Sequence, residues 1–240
     1  MKERFWEIDA IRGLAILKIL IFNWSFALFY LGIVFFEEGL MFQGAAAAVF
    51  IFLAGLSLTI SYSRVKHLKT EKIYKKYFSR GIKILSYGLL ITIITYFTFP
   101  EATIIFGILH FIAFSVILGQ FFLKYNKENL YLGIILILVG LYLQTINVDY
   151  PWLLWLGFIP KGFSTFDYFP ILPWFGITLL GIYFGNSLYD GGKRNFKIPK
   201  IENSFIVKVL SFLGRNSLFI YLAHQPLLIL ILLLLGYKIF

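Results

Sequence analysis

"EIDAIRGLAILKILIFNW", Glu7 to Trp24, opens with an acid and an arginine and then runs apolar, broken by Lys18 and Asn23. It sits in a longer apolar run, about 9–34, and roughly 20 such residues are enough to cross a bilayer as a helix. Ionisable groups are expensive inside hydrocarbon, so Asp9, Arg12, Lys18 and Asn23 are not explained by crossing alone. At ~100° per residue, Arg12 and Asn23 differ by only ~20° around the helix axis and stand ~16 Å apart along it. Asp9 lies one turn before Arg12, at a spacing that allows an ion pair. One stripe therefore carries a charge pair at one end and a carboxamide at the other. The plainer alternative is that Asp9 and Arg12 mark the interface, with Arg12 snorkelling toward lipid phosphate. Lys18 points elsewhere and must pair or line water.

Composition carries the same reading to the whole chain. Of 240 residues, 60% are hydrophobic and only 14% charged, against about a quarter charged in soluble domains. The expected fold is an all-α integral membrane protein, one domain over 1–240, with the first run retained as a span. The chain has no Cys, which excludes a thiolate nucleophile, a disulfide framework and Cys-ligated metal. The three His residues have no carboxylate cluster beside them, so no metal is expected.

Seven apolar runs are long enough to span, at about 9–34, 42–63, 81–99, 103–123, 129–147, 169–189 and 216–237. The connections alternate in charge. Segment 64–83 carries Arg64, Lys66, Lys69, Lys72, Lys75, Lys76, Arg80 and Lys83, and 190–215 carries Lys193, Arg194, Lys197, Lys200, Lys208 and Arg215. Opposite them lie Glu37 and Glu38, Glu101, and Asp149 and Asp167 with Lys161. The positive-inside rule places the N-terminus and the basic loops in the cytoplasm, in a multi-pass cell-membrane protein. The net charge of +10 is then an orientation signal, and nucleic acid is not expected as a partner. The Pro- and aromatic-rich segment 149–175 reads as a partly re-entrant external cap. "NSFIVKVLSFLG" (Asn203–Gly214) reads as an amphipathic helix on the cytoplasmic face.

Three further polar features stand out. "FGILHF" places His110 two turns into the fourth span, where it is either a proton-transfer group or a neutral histidine bonded to a neighbouring helix. "GRNSLFIYLAHQP" places His224 and Gln225 beside Pro226, which frees a backbone carbonyl that a polar neighbour can satisfy. His67 lies in the basic loop and is solvated. That loop is either a topology and anionic-lipid signal or, through Lys75, Lys76, Arg80 and Lys83, a contact for the phosphates of a nucleotide-like cofactor.

Several strings occur together, in order, along nearly the whole chain. They are "RFWEIDAIRGLAIL", "FIFLAGLSLTISYSR", "RGIKILSYGLLIT", "FGILHFI", "LPWFGITLLGIYFG" and "LGRNSLFIYLAHQPLLI". In these the chain resembles the multi-pass membrane acyltransferases, specifically the prokaryotic single-domain proteins grouped with the heparan-α-glucosaminide N-acetyltransferase catalytic domain. The resemblance implies transfer of an acyl group, commonly acetyl, from cytosolic acyl-CoA to an acceptor on the far side. That acceptor is typically a sugar, otherwise a small amine or hydroxyl compound. Related surface-polysaccharide acyltransferases carry an arginine, ten residues and then a histidine in the first span. This chain has Arg12, ten residues and then Asn23. Asparagine is no base, though it can donate to a thioester oxygen.

Within that resemblance the basic role falls to His110, with Asn23 beside the thioester. Arg12, oriented by Asp9, would hold the phosphate end of acetyl-CoA, with Lys18, Arg80 and Lys83 as further cofactor contacts. Asp167, His224 and Gln225 would serve the acceptor or the structure. The lipid bilayer is the other expected partner, and a homodimer is left open. Two alternatives keep the polar stripe but not the chemistry: a transporter or flippase for a polar or lipid-linked solute, and a non-catalytic membrane relative.

Overall fold

In a computed structural model, residues 4–34 and 43–237 are described, so the 35–41 connection with Glu37 and Glu38 lies outside the described residues. Every apolar run becomes a helix. They are α1 (Trp6–Tyr30), α2 (Gln43–Ser63), α3 (Thr70–Thr98), α4 (Ile108–Gly119), α5 (Lys127–Leu143), α6 (Ile171–Leu188) and α8 (Ser217–Leu234), with the amphipathic α7 (Phe205–Arg215) before the last. The only strands among the described residues are a two-residue parallel pair, β1 (Asn147–Val148) with β2 (Ile159–Pro160).

Five helices, α1, α2, α3, α6 and α8, are long and apolar enough to cross a membrane. Two of the seven runs give shorter helices. α4 has 12 residues, about 18 Å of rise, and α5 has 17. The run at 103–123 loses its first turn because its backbone bonds sideways. Ile104 O accepts from Thr92 Oγ1 at 2.6 Å and Ile104 N donates to Thr95 Oγ1 at 3.1 Å. Phe106 O accepts from Phe169 N at 2.9 Å. A carbonyl so occupied has no need of a helical partner.

α3 departs from expectation in the other direction. It begins at Thr70, so Lys72, Lys75, Lys76, Arg80 and Lys83 ride on helix, not on a loop. Glu71, Lys72, Lys75 and Lys76 are good helix formers, and Glu71 stands at the favourable i,i+4 spacing from Lys75. Farther along α3, Leu89, Leu90, Ile93, Ile94 and Phe97 are exposed. Such a face is a liability in water and the normal outer surface of a bilayer helix.

The chain divides into two compact units, Met1–Phe50 with Ile198–Phe240, and Ile51–Lys197. In the first, α1 packs against α7 and α8. The α1–α7 crossing requires glycine on both sides. A Cβ on Gly13 would overlap the Leu210 carbonyl oxygen, and one on Gly214 would overlap that of Asp9. Small residues let backbones approach where lipid offers no hydrophobic drive to association. Ser211 Oγ adds a hydrogen bond to Trp6 O at 3.3 Å.

In the second unit, α3 packs on α4, α5 on α6, and α4 on α6, with Ser115 and Thr178 hydroxyls 3.0 Å apart. The segment before α6 is stitched to the segment before α4. Phe166 N donates to Ala102 O at 3.2 Å, and Thr165 Oγ1 to Thr103 O at 2.8 Å. Tyr168 OH donates to Leu154 O at 2.7 Å, and burial pushes this phenol well above its ordinary value of 10.0.

Candidate functional site

The first unit carries a polar feature at each end of α1. At the N-terminal end, Arg12 Nη1 stands 3.8 Å from Asp9 Oδ1, and the charges of Arg4 and Arg215 also bear on that carboxylate. The pair is loose, and its side chains are one-fifth exposed or less. Lys18 is exposed, about 120° around the helix from Arg12, and shares no face with it.

Two turns before the end of α1, Asn23 Nδ2 lies 3.3 Å from His224 Nε2 of α8. The next residue, Trp24, donates from Nε1 to the carbonyl of His224 at 3.2 Å. His224 Nδ1 is hydrogen-bonded to Tyr221 O. A carbonyl only accepts, so Nδ1 carries the proton, and Nε2 then presents its lone pair to the Asn23 amide. The imidazole is only 5% exposed. Pro226, inside α8, withholds the amide that would otherwise bond the Leu222 carbonyl, so α8 carries a local polar backbone site here. Gln225 is half-buried beside it.

The second unit holds His110, in the first turn of α4 and 4% exposed. Its Nδ1 accepts from Gly107 N at 3.3 Å. Its Nε2 lies 3.3 Å from Thr92 Oγ1, and that hydroxyl spends its own proton on Ile104 O. Nε2–H is therefore the donor, and both ring nitrogens are engaged. Asp167 works on the same turn, where its Oδ2 accepts from Ile108 N at 2.8 Å. His110 and Asp167 satisfy the Gly107 and Ile108 amides at the opening of α4, the usual task of capping side chains. Gly88 leaves the space the imidazole occupies, since a Cβ there would press on the ring at 3.1 Å.

Arg80 and Lys83 are exposed. Lys76 Nζ instead donates to Ser61 Oγ at 2.9 Å and sits 5.1 Å over the Tyr77 ring. Among the described residues, no three His, Cys, Asp or Glu side chains gather as metal ligands would.

The structure thus brings Asp9 to Arg12, Asn23 to His224, and Asp167 to the turn that holds His110. Trp24 and Thr92 are the partners that sequence reasoning missed. Both sit in apolar helices, where a lone Trp or Thr gives no signal until its neighbour is known.

The profile of the heparan-alpha-glucosaminide N-acetyltransferase catalytic family matches residues 4–226. No curated protein and no solved structure matches the chain.

Proposed function

Because the chain belongs to the heparan-alpha-glucosaminide N-acetyltransferase catalytic family, we propose that this membrane acetyltransferase takes its acetyl group from acetyl-CoA. Donor entry is at the side where α1 begins, and delivery is to a hydroxyl or amine of a glycan on the side where α1 ends. One observation carries this reading. A single face of α1 bears the Asp9–Arg12 pair at one end and the Asn23–His224 pair at the other, ~16 Å apart. That separation is of the order of an extended pantetheine arm.

Arg12 would meet phosphate through charge-assisted hydrogen bonds, with Arg4 and Arg215 adding positive potential and Asp9 fixing its orientation. Asn23 would turn an amide N–H toward the thioester oxygen, where negative charge develops as the carbonyl is attacked. The basic residues of 64–83 and 190–215 favour a cytoplasmic start for α1 in the cell membrane. That is the side on which acetyl-CoA is made available.

The test is donor binding. Acetyl-CoA at millimolar concentration should raise the thermal midpoint of the purified protein, since a ligand well above its Kd stabilises the folded state. Arg12→Gln should remove most of that rise. No rise in the unmodified protein would overturn the reading.

A further inference from the structure

We propose that His224, not His110, is the general base of the transfer, and that Asn23 keeps its place until the acceptor arrives. This rests on the acetyl-CoA reading above and names the residue that performs its proton transfer.

A base must present a lone pair that the incoming proton can reach. In His224 the tautomer is set by the helix itself. Nδ1 is held on the Tyr221 carbonyl one turn back, the orienting role that a carboxylate plays in catalytic triads. Nε2 is thereby committed to the lone pair, and the lone pair faces Asn23 Nδ2 at 3.3 Å. The partner at Nε2 is a side-chain carboxamide, so exchanging this bond releases no backbone group of either helix. An acceptor hydroxyl entering between the two side chains gives Nε2 a better donor and frees the carboxamide for the thioester oxygen. Both side chains stay in register because Trp24 ties the backbone of His224 to the position next to Asn23.

His110 is built the other way. Its Nδ1 lone pair is spent on the Gly107 amide, and its Nε2–H on a Thr92 oxygen whose proton is itself committed. Acting as a base would require releasing the first turn of α4. The remaining histidine, His67, is exposed in the turn after α2.

The step balances as follows. The acceptor O–H or N–H bond breaks and its proton moves to His224 Nε2. The freed electron pair forms the new bond to the acetyl carbon, and the thioester C–S bond breaks. The departing thiolate takes the proton back from Nε2, leaving free CoA, an acetylated acceptor and an unchanged imidazole.

The experiment follows CoA thiol release from acetyl-CoA by the full chain, with glucosamine as the probe acceptor. Because the chain has no cysteine, every thiol detected is CoA. His224→Ala should lose at least about 100-fold in turnover, retain the thermal rise given by acetyl-CoA, and recover part of its rate with added imidazole. His110→Gln should lower the thermal midpoint without ligand, while turning over at least tenfold faster per folded molecule than His224→Ala. Turnover by His224→Ala within about threefold of the parent overturns the assignment, as does a His110→Gln protein of normal stability with no turnover. If the parent shows neither thermal rise nor thiol release, the acetyl-CoA reading is what fails. The nitrogen assignment is then decided alone by diethylpyrocarbonate labelling. Modification at His224 in preference to His110 upholds it; modification at His110 instead, or at neither, overturns it.

Discussion

His110 and His224 are both buried in apolar helices, and they are hydrogen-bonded in opposite senses. His110 accepts from a backbone amide and donates to a threonine, which makes it part of the backbone accounting of α4. His224 donates to a carbonyl of its own helix and turns a lone pair toward another side chain. The lesson is that a histidine inside a membrane is defined by what its second nitrogen does. In one unit the ring is bonded into the opening turn of a helix; in the other its second nitrogen faces a side chain of another helix.

The largest effect that would test this contrast lies at Asn23. Asn23→Ala should lower turnover by about 100-fold or more, as loss of one oxyanion donor does, with acetyl-CoA binding kept. If turnover survives and binding is lost, the carboxamide belongs to the donor track and the comparison with His110 loses its catalytic half.

Next come the caps of α4. His110→Ala strands the Gly107 amide, and Asp167→Ala strands that of Ile108. Each should cost about 1–2 kcal/mol in denaturation of the purified protein. Because both act on one turn, the double variant should cost less than the sum. Strict additivity would separate Asp167 from the His110 turn.

Tyr168 sharpens the point on the same segment. Tyr168→Phe removes the bond to Leu154 O and should cost about 1 kcal/mol. The half-buried phenol is raised, so its contribution is full below its ordinary value of 10.0 and is lost only as pH climbs through the higher folded value. The difference between parent and variant should therefore be flat from pH 6 to 9. A difference that decays across that window would mean the phenol is not buried as described.

The smallest effect belongs to Lys161. Its 2.9 Å pair with Asp149 is well exposed, and Lys161→Ala should shift stability by no more than about 0.5 kcal/mol. A larger loss would give the surface of this segment an importance that its interior lacks.

The helices were legible in the sequence because a bilayer demands long apolar runs, and each run became one. The ends were less legible. α3 starts at Thr70 because its basic lead-in is itself a good helix former, a property hidden when charge is read only as topology. α4 starts late because Thr92, Thr95 and the 165–169 segment claim the backbone of 102–106, and no local pattern in "ATIIF" announces that. The polar residues of the candidate site were visible one by one, but their pairing was not. Asn23 and His224 are 201 positions apart, and Asp167 reaches Ile108 across 59. His110 looked like the base because its residue type allows it. Its hydrogen bonds to Gly107 N and Thr92 Oγ1, which periodicity cannot supply, also tie it to the opening turn of α4.

The most direct test follows the acetyl group across a membrane. The protein is sealed into vesicles with the α1 start facing outward, glucosamine is trapped inside, and acetyl-labelled acetyl-CoA is added outside. The account predicts label on the trapped glucosamine with the parent protein and none above background with His224→Ala. No label with the parent, or equal label with both, would contradict it.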